Sequence, residues 1–582
     1  MKKTAIAVSL LLVLLMISVP AEVAKISVPL RFDRYYTLAE VGEALQALQK
    51  AFPEMTKVEE VGRSEEGRPI WAMTVNNPKT GPALTKPGIY ADGNLHGNEI
   101  QGGEICLYLL DYLLGNYGKN KEVTELLDKK CFYVIPVLNV DGRYHFFADP
   151  NTSSSNRSLR IPFDDDKDGL LDEDFPDDLD GDGSITRMRR KDPFGIYKTD
   201  PEDPRLMIRI KPGEKGEWTV LGEEGIDNDG DGRINEDGEG YIDPNRQWGF
   251  DWAPDYVESG SGEYPFQSVG LKAVALWTMT KPNICMGWSF HNNGGMYLRG
   301  PARKGLGEYP AQDVAVYDYI GKQAERITPG YRYLLGWKDL YATYGDSVEW
   351  MSQFLGAYAY CGEVFQSESE TFKTQSEKAG TAGAGGDGPS MFSGDRERIK
   401  YSDHLTQGEL FKPWKPFKHP VYGDIEIGGW AKISNRLSAP FMMPDLVHRN
   451  AMAIVFSAKH TPEVTLDVTD VKKIGSDLSR VRVRLVNGKA MPTMSYLAQK
   501  VRLYPKDMLI VSGPKAKVVA GGLLVDPDLD RVNYKKYKPE LQFLVVAGFG
   551  KADYQFLVEG KGEITIRYES RHAGTLEKKI KL

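Results

Sequence analysis

The chain has 582 residues and a formal net charge of −8, with 73 Lys and Arg against 81 Asp and Glu. That length exceeds what one hydrophobic core organises, so we expect two domains after processing. The acidic balance argues against nucleic acid as a partner, because nucleic-acid binding relies on a basic surface.

The extreme N-terminus has the order of a secretory signal. Two lysines precede an apolar stretch from Ala5 to Val19, and small residues follow it. The stretch is too short for a comfortable membrane span, and it lacks the polar face that a helix of the folded core would have. We therefore expect a signal peptide over residues 1–21, no membrane span after its removal, and a secreted, periplasmic or cell-surface location.

Four cysteines are spread widely along the chain and show no CxxC spacing: Cys106, Cys131, Cys285 and Cys361. The last two lie in apolar, strand-like runs. An exported chain could oxidise its cysteines, but this placement favours buried free thiols.

The predicted elements alternate between helices and strands in the first part of the chain. Apolar residues recur at helical spacing between Thr37 and Pro53, which predicts an amphipathic helix that ends at the proline. A hairpin follows, and after it come a short strand, a second helix and a continuously apolar strand. These segments are residues 57–61, 69–75, 87–91, 100–114 and 132–138. The order predicts an α/β fold in which helices flank a central sheet.

Acidic and Gly-rich segments interrupt this alternation, and the sequence changes character near residue 461. Residues 164–183 and 227–237 are dense in Asp, and residues 379–395 form a Gly-rich loop. Beyond residue 461, short β-type runs follow one another with no convincing helix between them. We predict a first domain over residues 22–460 and a C-terminal all-β, sandwich-like accessory domain over residues 461–582.

The first candidate functional residues form a metal-binding pattern. A catalytic zinc takes about three protein ligands and keeps an open position for water. His96 and Glu99 form an HxxE pair directly after a predicted strand, a spacing at which both side chains can converge on one point. The pair alone is weak evidence, but the chain has only eight His, and His291 ends the apolar run 286–290. A His at the C-terminal end of a strand is well placed for a site.

Several motifs together resemble the metallocarboxypeptidases of the carboxypeptidase A type, peptidase family M14. The similarity runs roughly from Tyr36 to His460. In this resemblance His96 and Glu99 match the first two zinc ligands, and His291 falls where the third belongs. The resemblance implies one catalytic zinc and a mixed central sheet flanked by helices. The motifs concerned are Tyr36-Thr37, Phe52-Pro53, Gly62-Arg63-Ser64-Glu65-Glu66-Gly67-Arg68, His96-Gly97-Asn98-Glu99 and Pro136-Val137-Leu138-Asn139-Val140-Asp141-Gly142.

The same resemblance implies roles for a set of polar residues. Asn245 and Arg246 stand in a run similar to the family's Asp-x-Asn-Arg, in which the Asn and Arg hold the terminal carboxylate of the substrate. Asp243, at the start of this run, would orient a zinc-bound His. A second run resembles the segment whose Arg polarises the scissile carbonyl. The best register gives that role to Arg190 and places Arg187 along the cleft.

A third stretch resembles the family's mobile tyrosine loop and its general base. Tyr341 stands at the position of the mobile tyrosine. Glu363 follows Trp350 at the interval of the general base, and a carboxylate in an apolar strand would be costly without such a purpose. Val348 occupies a position that helps to set specificity, which indicates an apolar or aromatic C-terminal residue.

Three acidic runs share the Asp-x-Asp-x-Asp-Gly spacing of calcium loops. None has the Glu at the twelfth position of an EF-hand, so they resemble the calcium-binding aspartate repeats of extracellular proteins. A solvated, disordered acidic loop is the alternative. The second run leads into Arg187 and Arg190 and the third into Asn245 and Arg246, so structural calcium would hold these residues in place. The predicted ligands are Asp164, Asp166, Asp168, Asp172, Asp178, Asp180, Asp182, Asp227, Asp229 and Asp231.

The function implied by the resemblance is that of a secreted zinc-dependent carboxypeptidase. It would hydrolyse the C-terminal bond of peptides or proteins with a free C-terminus, through a zinc-bound water and Glu363 as general base. Two alternatives stay open. One is a peptidoglycan peptide hydrolase or other amidase on the same scaffold, and the other is a catalytically inert, calcium-stabilised surface-binding protein.

Overall fold

The computed structural model describes residues 26–164, 167–365, 394–434 and 436–582. The predicted signal peptide lies outside these residues, as do the predicted calcium ligand Asp166 and all but the end of the Gly-rich loop.

Helices and strands alternate through the first part of the chain, as predicted. The elements there are α1 (Leu38–Ala51), β1 (Thr56–Arg63), β2 (Pro69–Val75), β3 (Gly88–Gly93), α2 (Gln101–Asn116), α3 (Lys121–Lys129), β4 (Cys131–Ile135) and α4 (Val140–Ala148). The next group is β5 (Arg187–Lys191), β6 (Tyr197–Thr199), β7 (Met207–Arg209), β8 (Trp218–Glu223), α5 (Val269–Met279), β9 (Ile284–Asn292), β10 (Met296–Arg299), α6 (Ala311–Ile327), β11 (Arg332–Leu335), α7 (Gly336–Asp339), α8 (Ser347–Glu349) and β12 (Tyr358–Val364).

Strands dominate the rest of the chain. After α9 (Asp395–Leu405) come β13 (Phe411–His419), β14 (Gly423–Trp430) and α10 (Met443–Lys459). The C-terminal part holds β15 (Val464–Lys473), β16 (Leu478–Asn487), α11 (Tyr496–Val501), β17 (Asp507–Ser512), β18 (Ala516–Asp526), β19 (Arg531–Tyr534), β20 (Leu541–Leu544), β21 (Lys551–Gly560), β22 (Glu563–Ser570) and β23 (Gly574–Lys581).

The central sheet has eight strands in the order β1-β2-β4-β3-β9-β12-β10-β11. It is mixed, because β4, β3, β9 and β12 run parallel to one another and β10 runs parallel to β11, whereas β2 pairs antiparallel with both β1 and β4, and β10 pairs antiparallel with β12. Every residue of β9 is buried, as expected for a central strand covered on both faces. Helices α2, α6 and α10 pack against this sheet. The predicted α/β class with a mixed central sheet is confirmed.

A second, six-stranded sheet contains the strands that follow the acidic run at 164–183. Its order is β13-β14-β5-β8-β6-β7, and all its pairs are antiparallel. The sequence did not predict this sheet, because β6 and β7 have three residues each and β13 contains Pro413 and Pro416. Such segments carry almost no periodic signal.

The C-terminal part is rich in antiparallel β-structure, as predicted. A five-stranded sheet (β15-β16-β21-β18-β19) and a four-stranded sheet (β20-β17-β22-β23) share one apolar core. Val483 and Phe556 enter this core from the first sheet, and Leu509 and Ile566 enter it from the second. All four cysteines of the chain are buried and unpaired. Among the described residues, no helix has the length and apolar character of a membrane span.

Candidate metal centre and substrate cleft

Two neighbouring parallel strands bring the predicted zinc ligands together. β3 ends at Gly93, and the turn after it carries His96 and Glu99 to the start of α2. His291 lies near the C-terminal end of β9, which runs parallel to β3 with Phe290 opposite Gly93. The three side chains are buried, with exposures between 1% and 3%. Residues separated by 195 positions in the chain therefore converge.

The three side chains have the geometry that a tetrahedral zinc requires. His96 Nδ1 and Glu99 Oε2 lie 2.9 Å apart, and His291 Nδ1 lies 3.1 Å from each of these atoms. Tetrahedral zinc with bonds of about 2.0–2.1 Å separates its ligand atoms by roughly 3.3 Å. Two imidazole nitrogens and a carboxylate oxygen are also a donor set of catalytic zinc sites. The residues present therefore fit one zinc ion.

Asp243 contacts His96 on the far side of its ring. His96 Nε2 lies 3.0 Å from Asp243 Oδ1, so Nδ1 is left to face the other two ligand atoms. Burial raises the pKa of Asp243, but His96, Arg246 and Arg157 outweigh burial and hold that pKa well below its usual range. The carboxylate therefore stays charged and fixes the ring orientation.

Glu363 lies beside these three residues on the next strand of the sheet. β12 runs parallel to β9, and Glu363 is in register with His291. Burial and the nearby Glu99 carboxylate raise the pKa of Glu363 to about 7, although His291 and Arg157 act in the opposite direction. A carboxyl group with a pKa near neutrality suits the transfer of protons to and from water.

Part of this arrangement lies in a segment that is similar to a known family. Residues 41–187, which include His96 and Glu99, match the family model described as zinc carboxypeptidase, peptidase M14. The chain carries a peptidase M14 zinc carboxypeptidase domain. Residues 463–581, which hold the C-terminal sheets, match a domain of unknown function, DUF8731.

Individual relatives of the zinc carboxypeptidase domain match a small part of the chain. Carboxypeptidase D of Homo sapiens is 34% identical over 110 residues, which are 19% of this chain and 8% of that protein. The inactive metallocarboxypeptidase ECM14 of Saccharomyces cerevisiae is 34% identical over 129 residues, which are 22% of this chain and 29% of that protein. The chain thus spans less than a third of either relative. The crystal structure of carboxypeptidase A from Helicoverpa armigera is 16% identical, with a TM-score of 0.41, over 74% of this chain and 76% of that one.

Two arginines flank Glu99, and the sequence analysis predicted neither of them. Arg157 donates from Nη1 to Glu99 Oε1 at 2.8 Å, and its Nη2 lies 3.4 Å from Asp243 Oδ2. Arg436 Nη1 lies 3.6 Å from the same Oε1. Arg157 belongs to a Ser-rich loop without regular structure, so only its position shortly after the run 136–142 could have drawn attention to it.

Most of the predicted substrate residues line one pocket. Asn245, Tyr341 and Val348 share the wall of this pocket with Glu363. The Arg246 guanidinium lies 6.0 Å from the centre of the Tyr341 ring. The structure therefore brings the predicted carboxylate-binding, specificity and base residues to one cleft.

Arg246 is held in place by acidic neighbours. It is 9% exposed, its Nε donates to Glu258 Oε1 at 2.6 Å, and its Nη1 lies 3.9 Å from Asp243 Oδ2. Burial lowers the pKa of Arg246, but Asp243 and Glu258 outweigh burial and raise it overall. Asn245 is fixed as well, because its Oδ1 accepts a hydrogen bond from Ser347 N at 2.9 Å.

Arg187 and Arg190 lie on β5, in the second sheet. Arg187 Nη2 is 3.9 Å from Glu223 Oε1, and its side chain lines a separate pocket with Ser154 and Trp430. In the part of the chain that the structure describes, neither arginine forms a hydrogen bond or ion pair with the three zinc-ligand residues or with Glu363. The structure thus brings Arg157, rather than Arg190, to the metal centre.

The acidic runs fold into tight turns on their own carboxylates. Asp164, Asp178 and Asp227 accept hydrogen bonds from backbone N–H groups three to five positions later. Asp168, Asp182 and Asp231 each accept one from the residue two positions later, and Asp172 Oδ1 accepts one from Phe163 N.

The second acidic run differs from the other two in its neighbours. Lys415 Nζ lies 3.1 Å from Asp180 Oδ2, and Lys412 Nζ lies 3.3 Å from Asp182 Oδ2. Asp178 and Asp180 also lie close to the buried Glu224, which the sequence did not single out. Part of the negative charge of this run is therefore already neutralised by protein cations.

Proposed function

We propose that this chain is a secreted zinc-dependent carboxypeptidase that hydrolyses the C-terminal peptide bond of peptides and proteins. The observation that carries the proposal is the position of Glu363, in register with His291 and one strand away from it. A carboxylate base beside a three-ligand metal centre is the arrangement that metal-assisted hydrolysis requires. The predicted signal peptide is the reason for proposing secretion.

The family implies zinc, and His96, Glu99 and His291 would hold it, with Asp243 keeping the His96 ring in the ligating orientation. When bound, zinc supplies the Lewis acidity that polarises a carbonyl group and acidifies water. Glu363 accepts a proton from the attacking water at a carboxylate oxygen and later donates it to the leaving amine.

Removal of the terminal residue, rather than cleavage of an internal bond, follows from Arg246 and Asn245. An arginine binds a carboxylate through two parallel hydrogen bonds, and Glu258 holds this guanidinium in place from one side. The Tyr341 ring would cover the bound residue. Val348 favours an apolar or aromatic side chain in the pocket.

We assign the stabilisation of the oxyanion to Arg157. Its guanidinium is already fixed by Glu99 and Asp243, so little reorganisation is needed as charge develops on the carbonyl oxygen. The role predicted for Arg190 passes to Arg157 in this proposal. Arg187 lines a separate pocket with Ser154 and Trp430, so it has no proposed contact with the scissile bond.

The two alternative functions have less support. A surface-binding protein without activity has no use for a base next to a metal centre. A cell-wall amidase is compatible with the zinc ligands, but the held Arg246 favours a substrate with a free α-carboxylate. Because one relative is named an inactive metallocarboxypeptidase, the proposal has to be tested by measuring turnover. Calcium in the acidic runs belongs to the proposal as a structural ion.

Replacement of the base tests the proposal. Glu363→Gln should lower turnover of a peptide with a free C-terminus by about 10²–10⁴-fold, because the positioned base is lost. Zinc content should stay at the wild-type level, since Glu363 is not a proposed ligand. Both quantities are measured on the same preparation, by steady-state kinetics and by metal analysis.

Glu349→Gln is the matched control for this replacement. Glu349 lines the same pocket, but its Oε1 accepts hydrogen bonds from Ala302 N and Tyr309 Oη, which a glutamine oxygen can also accept. This variant should keep most of its turnover. Near-normal turnover in Glu363→Gln would contradict the assigned role.

A further inference from the structure

The first and third acidic runs share more than the Asp-x-Asp-x-Asp-Gly spacing. At the same distance after its glycine, each run continues into an acidic tripeptide, Asp172-Glu173-Asp174 in the first and Asn235-Glu236-Asp237 in the third. The second run has no such tripeptide at that position. The two matching runs are therefore candidates for a paired arrangement.

The two tripeptides are joined by hydrogen bonds from the backbone N–H groups of each to oxygen atoms of the other. Asp237 Oδ2 accepts hydrogen bonds from Glu173 N at 2.6 Å and from Asp174 N at 3.0 Å. In return, Asp174 Oδ2 accepts one from Asn235 N at 3.0 Å, and Asp174 O accepts one from Asp237 N at 3.2 Å. Asp174 and Asp237 are 0% and 4% exposed. The buried carboxylates of Asp174 and Asp237 are thus fixed between the two runs.

Carboxylates from the first and third runs also cluster around Asp229. Asp229 has a carboxylate oxygen within 4.8 Å of ligand atoms of Asp168 and Glu173, which belong to the other run. The same holds for Asp229 with Asp174 and Glu236. Asp229 therefore lies where the two runs meet, close to carboxylates of both runs.

Several of these oxygens have no partner. Asp237 Oδ1, on a side chain more than nine-tenths buried, accepts no hydrogen bond, and neither do the buried oxygens Glu173 Oε2 and Glu236 Oε2. The Asp237 carboxylate lies against that of Glu173, and the Asp174 carboxylate lies against that of Glu236. Buried carboxylates without hydrogen bonds are costly, and like charges in contact add to the cost.

The one ion pair of the described aspartates Asp227, Asp229 and Asp231 of the third run joins Arg233 Nε to Asp231 Oδ2 at 3.4 Å. Within the described ranges, Glu173, Asp174, Asp229, Glu236 and Asp237 form no ion pair with Lys, Arg or His. A neutral side-chain donor is Asn228, whose Nδ2 donates to Asp174 Oδ1 at 2.8 Å. The second run, with its two lysines, shows how the chain neutralises such a cluster where it uses its own side chains.

We propose that a divalent cation binds between the first and third acidic runs, with Asp229, Asp168 and Glu173 as its innermost ligands. Asp237, Asp174 and Glu236 complete the oxygen-rich site from the buried side. The cation is a calcium-type ion, because many carboxylate oxygens on flexible turns suit the six to eight ligands and loose geometry of Ca²⁺ better than the strict octahedron of Mg²⁺.

This site differs from one calcium per acidic run. Each run lacks its own bidentate glutamate, and the partner run would supply the missing oxygens. Binding at this site would also affect the candidate metal centre, since Asp237 lies six residues before Asp243 in the chain. An ion that joins the runs would anchor the segment leading to Asp243 and Arg246.

Calcium titration of the zinc-loaded chain tests the proposal, with Ca²⁺ binding and thermal unfolding as readouts that do not depend on peptidase activity. The wild-type chain, stripped by dialysis against zinc-containing, calcium-free buffer, should bind Ca²⁺ and show a higher Tm after Ca²⁺ is added. Asp229→Asn should weaken the binding by at least about tenfold, because it removes the charge shared by both sides of the site.

Two control variants sharpen the result. Asp424→Asn changes an exposed aspartate on β14 and should bind Ca²⁺ as the wild type does. Asp180→Asn changes the second run and should leave the measured affinity at the Asp229 site unaltered. The proposal is overturned if the wild type neither binds Ca²⁺ nor gains Tm, or if binding is lost in Asp180→Asn but kept in Asp229→Asn. If Asp229→Asn fails to fold, the wild-type titration still tests the proposal, because absence of both Ca²⁺ binding and a Tm gain overturns it.

Discussion

The proposed chemistry depends strongly on Arg157. The sequence around Arg157 gives almost no sign of this role. The Arg157 guanidinium joins Glu99, a proposed zinc ligand, to Asp243, which contacts the second proposed ligand His96. The positive charge of Arg157 also acts to lower the pKa of Glu363 and of Tyr341, against the effect of burial. One positive charge thus influences both the metal centre and the substrate pocket.

We expect Arg157→Gln to lower kcat/KM for a peptide substrate by about 10²–10³-fold, the usual effect of removing an oxyanion donor. Arg190→Gln, on the second sheet, should lower it by less than about tenfold. Steady-state kinetics of the two variants, with zinc content checked for each, distinguish the two arginines. A larger loss in Arg190→Gln would return the oxyanion role to the residue that the sequence favoured.

Short motifs in the sequence predicted that His96, Glu99 and His291 come together, and the structure brings them together. His96 and Glu99 are three positions apart, and their convergence follows from local geometry. His291 was found because few histidines compete for the third position. Arg157 was missed because an arginine in an irregular Ser-rich loop is most often a solvated charge, and only the folded chain shows what it contacts.

At the scale of elements, a buried arginine holds the loop between β3 and α2 in place. Arg143 of α4 donates to both carboxylate oxygens of Glu104 in α2, at 2.8 and 3.0 Å, and both side chains are fully buried. The same guanidinium donates to Asn94 Oδ1 and Ile100 O, which stand on either side of the zinc ligands. Gly97 lies in this loop so close to Asn156 and Gly142 that a Cβ would clash with backbone atoms of both.

Arg143→Met should lower the free energy of unfolding by about 3–5 kcal/mol, because it leaves Glu104 charged and unpaired in the core. Arg31→Met, which removes an exposed pair with Asp33, should leave the free energy of unfolding almost unchanged, because water screens such a pair. Denaturant titration of both variants gives the comparison. Equal and small losses would mean that water or a neighbouring group satisfies Glu104.

The elements of the central sheet were predictable because they are long and strongly patterned. The strand expected over 87–91 is β3, and the helix expected over 100–114 is α2. The second sheet was not predicted, because some of its strands are very short and others pair across long sequence separations, β5 with β14 for example. Pairing of that kind depends on tertiary context rather than on local propensity.

At the scale of the whole molecule, the C-terminal β-structure is joined to the rest by buried polar contacts. Asp313 of α6 accepts hydrogen bonds from Tyr496 N at 3.0 Å and Leu497 N at 2.6 Å. Lys130 Nζ donates to the carbonyl oxygens of Thr461 and Pro462, and burial lowers the pKa of Lys130 to about 8. The sequence indicated β-structure in this region, but these contacts could not be predicted, since each joins residues far apart in the chain.

The central claim is that the cleft recognises a free C-terminus and removes one residue at a time. Mass spectrometry of a peptide over a time course, run beside the same peptide as its C-terminal amide, tests this claim most directly. Successive loss of single C-terminal residues from the free acid, with the amide left intact, is the predicted result, because Arg246 and Asn245 bind the carboxylate. Internal cleavage, or equal hydrolysis of acid and amide, would contradict the account.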